Sequence, residues 1–63
     1  MLTDDDILAI NFIRNSYTNE RDREYLLQRL KEYFLARKEK YSIEPLQIAW
    51  EVYQRIIYKK PLQ

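Results

Sequence analysis

The sequence predicts an all-α protein, a compact bundle of three helices near residues 4–17, 19–40 and 44–60, with 1–63 as a single helical domain. Two observations carry this. The 63-residue chain holds no glycine, where average usage of roughly 7% would supply about four, so turns built on Asn and Ser are expected in place of Gly-dependent hairpins. Apolar residues recur at helical spacing, and two runs of turn formers, "NSYTN" at 15–19 and "YSIEP" at 41–45, cut the pattern into three.

The first helix starts at "LTDDDI". Thr3 is placed to cap it, Asp6 to reach back as the third helical residue, and Leu2 to pack on Ile7 as a hydrophobic staple. Three successive carboxylates at a helix N-terminus are accounted for by the macrodipole, so no metal site is expected there. In "NSYTN", Asn15 or Asn19 can take the left-handed conformation that Gly usually supplies. The second helix, with Glu20 and Asp22 in its first turn, is expected to run through "REYLLQRLKEYFLARKEK", closed by Lys38 and Lys40. Ser42 or Glu44 starts the third, with Pro45 in its first turn and Tyr41 stapled to Leu46; a residue before proline resists the helical region, which favours Glu44 as the boundary. Pro61 stops this helix.

At 100° per residue the helices differ in how they distribute apolar side chains. Leu26, Leu27, Leu30, Tyr33, Phe34 and Tyr41 share about 120° of the second helix, a one-faced pattern from which only Leu35 departs. On the third, Ile48, Val52, Ile56, Ala49, Tyr53, Leu46, Ile57 and Trp50 spread over about 200°, and on the first, Leu8, Phe12, Ala9, Ile13, Tyr17, Ile10 and Ile7 over about 260°. Helices 1 and 3 therefore carry two apolar faces each, and a chain this short has little with which to cover both. Dimerisation through helices 1 and 3 is the expected solution. Leu8, Phe12, Ile48 and Val52 are the first choice of interface, with Trp50 and Ile56 on the same arc of helix 3; the pattern leaves open which edge of that helix faces inward. On this reading a carboxylate at Val52 breaks the association and leaves the helices intact.

The chain has no Cys and no His. Disulfides, the usual zinc and haem ligands and the commonest general base are thereby excluded, so no cofactor, no metal and no small-molecule substrate is expected, and catalysis is not. No apolar run reaches the length of a membrane span, and the acidic start is unlike a signal peptide, so a cytoplasmic protein is expected. Residues 1–24 carry three basic and six acidic side chains, a net of −3, and residues 25–63 eight basic and four acidic, a net of +4. Acidic helix starts and basic helix ends explain most of that split. The expected function is a regulatory or protein-interaction module, a small subunit or inhibitor, that binds another protein through exposed apolar helix faces as a homodimer. The alternative is a helix-turn-helix-like DNA-binding regulator using helix 3, with Gln47, Gln54 and Arg55 at bases and Lys59 and Lys60 at phosphates.

Overall fold

The structure is a computed structural model and describes residues 2–38 and 44–62. Three helices pack together: α1 (Asp4–Ser16), α2 (Arg23–Ala36), entered through a 3-10 turn at Glu20–Asp22, and α3 (Pro45–Ile57). No strand occurs among the described residues. The central helix, α2, packs extensively on α3 and more sparsely on α1. Its inward residues Leu26, Leu30 and Phe34 meet Ile10 of α1 and Ile48, Ala49 and Val52 of α3 in one buried cluster. Ala49 is fully buried. Having only a methyl side chain, it lets the α3 backbone approach closely.

The start of α1 follows its sequence signals. Asp6 N–H donates to Thr3 Oγ1 at 3.1 Å, and Thr3 N–H donates to Asp6 Oδ2 at 3.0 Å, a reciprocal capping box. Leu2 is half-buried and packs against the core. Asp6 has a second role that the cap alone does not require. Its side chain is 1% exposed, accepts a hydrogen bond from the Tyr33 hydroxyl at 2.7 Å through Oδ1, and pairs there with Arg37 Nε at 3.3 Å. Arg37 also lies over the Tyr33 ring, 5.5 Å from its centroid. One carboxylate thus ties the first turn of α1 to the last turn of α2.

Two boundaries differ from the expected 19–40 helix. Neither Asn19 nor Asp22 caps with its side chain, and the entry tightens into a 3-10 turn in which Asp22 N–H bonds the Asn19 carbonyl at 3.0 Å. At the other end α2 stops at Ala36, and Arg37 leaves the helical path at φ −114 and ψ 21. After Phe34 the next positions on the inward side are Arg37 and Lys38, so the next turn offers no apolar side chain to support it. The expected closure at Lys40 and the staple from Tyr41 lie outside the described residues.

Left-handed backbone is not found at Asn15 or Asn19, and among the described residues only Lys59 adopts it, at φ 57. Here α3 ends in a Schellman motif: Lys60 N–H bonds the Arg55 carbonyl at 2.8 Å and Lys59 N–H the Ile56 carbonyl at 3.2 Å. The last three residues expected in the helix, 58–60, form this cap. The chain then folds back, with Arg55 Nη1 donating to the Leu62 carbonyl at 2.8 Å and Leu62 packing on the core. At the start of α3, Glu44 is extended at ψ 123 and Pro45 occupies the first turn, as the sequence predicts.

Two substitutions separate the roles: Thr3→Ala should cost about 1 kcal/mol, the usual loss for an N-cap side chain, whereas Asp6→Ala should cost about 3 kcal/mol by also breaking the contacts to Arg37 and Tyr33; urea midpoints that rank the two equally would show that the joint to α2 contributes nothing. Lys59→Gly should raise stability by about 1 kcal/mol, since a residue with a Cβ is disfavoured by roughly that amount in the left-handed region. An unchanged or lowered midpoint would mean that the cap does not form in solution.

Candidate interaction surfaces

With Asp6 and Ile10 directed into the molecule, the opposite face of α1 is left to solvent. Leu8 is 68% exposed and Phe12 is 76% exposed. They lie one turn apart and are neighbours on the helix surface. Asp4 and Asp5 are exposed at the N-terminal end of the same helix, and Asn15 and Ser16 at its other end. Ser16 Oγ is turned back to the Phe12 carbonyl at 3.1 Å.

The structure decides the question of edge on α3. Ile48 and Val52 are 7% and 4% exposed, inside the chain's own core, so they offer nothing to a partner while the chain is folded. Ile56 is half-buried against the same core. The outward edge is the other one, with Leu46 42% and Trp50 48% exposed. Tyr53 supports Trp50, their ring centroids 5.7 Å apart, while packing its other side against the core. Of the six residues singled out for association, Leu8, Phe12 and Trp50 are outward-facing, Ile48 and Val52 are buried in the core, and Ile56 is half-buried against it.

A third surface combines residues from separate segments. A cleft of about 660 Å³ lies between the end of α1, the turn before α2 and the end of α3. Half-buried Ile56, Ile57 and Leu62, with buried Leu26, supply its apolar lining; exposed Arg14, Arg23, Arg55, Lys59 and Lys60 surround them. Among the described residues that line it there is no carboxylate side chain. Arg23 is paired outside the cleft with Glu20 at 3.6 Å. The C-termini of α1 and α3 also point here, each equivalent to about −0.5 charge. Set against five cations, those two ends and Glu20 leave the described part of the cleft with an excess of positive charge.

Arg55, Lys59 and Lys60, expected together on a nucleic-acid face, do come together here, whereas Gln47 and Gln54 do not line the cleft. Gln47 instead donates to Glu51 at 3.5 Å along the exposed side of α3. Arg14 and Arg23 were not singled out by sequence, because their proximity to the end of α3 depends on how the helices fold together. Among the described residues no group of His, Cys, Asp or Glu is arranged to hold a metal ion, and no helix is long and apolar enough to cross a membrane. No protein-family model matches the chain, and comparison with curated proteins and with solved structures finds no match.

The placement of Val52 changes what its substitution reports. Val52→Glu should unfold the chain, at a cost of roughly 3 kcal/mol or more for an unpartnered carboxylate in the core, and not merely dissociate it. Circular dichroism that stays fully helical for this variant would place Val52 on a surface.

Proposed function

We propose that this chain is a non-catalytic binding module that acts by pairing with another protein chain, in the first instance a second copy of itself, through the outward face of α1 assisted by the outer edge of α3. The observation that carries the reading is the exposure of Leu8 and Phe12, two large apolar side chains side by side on a rigid helix. Capped at its start and held to the core by its other face, α1 presents them at little ordering cost. The one carboxylate buried among the described residues, Asp6, is engaged in joining helices, which fits a structural use better than a catalytic one.

Fully burying a Leu or Phe stabilises by about 1.5–3 kcal/mol, so the exposed fractions of four such side chains in a dimer offer roughly 4–8 kcal/mol. Lost translational and rotational freedom costs an estimated 4–15 kcal/mol or more. The apolar pair alone would thus give weak association, and Leu46, Trp50 or charged groups must add to it. A weak, exchangeable pair suits a regulatory module that trades its own copy for another partner.

A second reading has one observation in its favour, the gathering of five cations at the cleft. On that reading the chain holds the backbone of a nucleic acid, and binding should fall steeply with added salt.

The chain's single tryptophan, Trp50, makes the main reading easy to follow. Sedimentation over a wide concentration range should show self-association of the wild type, accompanied by a change in Trp50 fluorescence if the α3 edge is covered. Leu8→Gln with Phe12→Gln should abolish association while changing stability by less than about 1 kcal/mol, because exposed helix positions tolerate good helix formers. A wild type that remains monomeric to several hundred micromolar, on the order of the weakest association useful to a cell, would defeat the reading.

A further inference from the structure

The acidic start of α1 and the cationic cleft are opposite in charge, and they sit at opposite ends of one helix. Asp4 and Asp5 are exposed at the N-terminal end of α1, Leu8 and Phe12 lie in its middle, and Asn15 lines the cleft at its C-terminal end. From Asp5 to Asn15 is ten residues, about 15 Å along a rigid helix. The carboxylates of one chain cannot reach that chain's own cleft. A second copy laid antiparallel along α1 would bring its own Asp4 and Asp5 beside Asn15 at the edge of the cleft, once at each end of the pair.

We infer that two copies pair with their α1 helices antiparallel, each setting Asp4 and Asp5 at the mouth of the other's cationic cleft, with Leu8 of each copy against Phe12 of the other. The inference rests on the self-association proposed above and adds its geometry. A twofold axis near Ile10 brings position 8 opposite 12 and position 5 opposite 15, so one patch is its own complement and the assembly closes at two. Parallel packing would set acidic end against acidic end and cationic cleft against cationic cleft. Two carboxylates meeting a cationic cleft, at both ends of the pair, supply the charged contribution that the apolar centre lacks.

A nucleic acid is the rival occupant, and the cleft suits it less well. A single strand is held by open aromatic faces as well as cations. The aromatic ring in the lining, Tyr17, is stacked on Tyr25 at 6.4 Å, and its hydroxyl accepts a hydrogen bond from Arg29 Nε at 3.2 Å. The remaining apolar lining is aliphatic.

The test is a charge-swap mixture analysed by sedimentation at low ionic strength. Asp4→Lys/Asp5→Lys and Lys59→Glu/Lys60→Glu should each weaken self-association by about tenfold or more. Their equimolar mixture should associate well above either variant alone, since the basic first turn of one variant meets a cleft that is no longer cationic while the two unaltered ends still meet each other. Loss of fold cannot produce that rescue. Should the Lys variant lose helix, Asp4→Asn/Asp5→Asn takes its place, with a salt dependence flatter than that of the wild type as the expected result. Association that neither variant weakens, or that the mixture fails to restore, would overturn the antiparallel charge register and leave self-association standing. A monomeric wild type would remove both. Binding of a single-stranded oligonucleotide that Lys59→Glu/Lys60→Glu abolishes, with no rescue in the mixture, would assign the cleft to nucleic acid.

Discussion

The arrangement of this molecule depends on the Asp6 carboxylate. It is buried, and its oxygens meet the Thr3 amide, the Tyr33 hydroxyl and the Arg37 guanidinium. A buried charge is costly unless every site on it is engaged, and this engagement is available in one rotational setting of α1. Asp6, Ile10, Ile13 and Tyr17 share an arc of about 60° at 100° per residue, while Leu8 and Phe12 lie on the other side. Fixing Asp6 inward therefore fixes Leu8 and Phe12 outward. The apolar side of α1 that faces solvent is a consequence of the polar joint and not of loose packing.

That joint matters more because the core is small. Its fully buried side chains are few, and α2 makes most of its contacts with α3, leaving α1 attached by Ile10, the half-buried Ile13 and Tyr17, and the carboxylate. Chains near 60 residues bury only about 60% of their unfolded surface. In such a chain a directional contact can choose among helix orientations that apolar burial alone would leave close in energy. This is the setting in which buried polar groups have their best-supported role, specifying one arrangement at some cost in stability.

Much of the fold was legible in the sequence because it is encoded locally. Thr3 and Asp6 are three residues apart, Glu44 adjoins Pro45, and the inward face of α2 repeats within its own turns, so no knowledge of the rest of the chain is needed to read them. Leu35, the one apolar residue on the charged side of that pattern, is indeed 45% exposed. What escaped is non-local. The spacing of Asp6, Tyr33 and Arg37 carries no signal, since 27 residues separate the first two. The inward edge of α3 escaped for a related reason: both edges are apolar, and only α2 decides between Val52 and Trp50. The left-handed cap at Lys59 went unseen because residue preference points to Gly or Asn, and a chain without glycine must place another residue there.

The charge distribution shows how local rules produce a property of the whole molecule. Four of the five cations at the cleft have a reason on their own element: Arg14 lies in the last turn of α1, Arg55 in that of α3, and Lys59 and Lys60 in the cap that follows, whereas Arg23, at the start of α2, is paired with Glu20. Asp4 and Asp5 are likewise in place for the start of α1. No helix needs more than one or two such charges for its dipole, whose end carries about half an elementary charge. The packing brings two C-termini to one cleft, so compensations that are modest singly accumulate there into a cationic excess, while the acidic start of α1 stays a helix length away. Capping chemistry, repeated on separate helices and gathered by the fold, is sufficient to separate opposite charges along α1, the asymmetry that the proposed antiparallel pair would use.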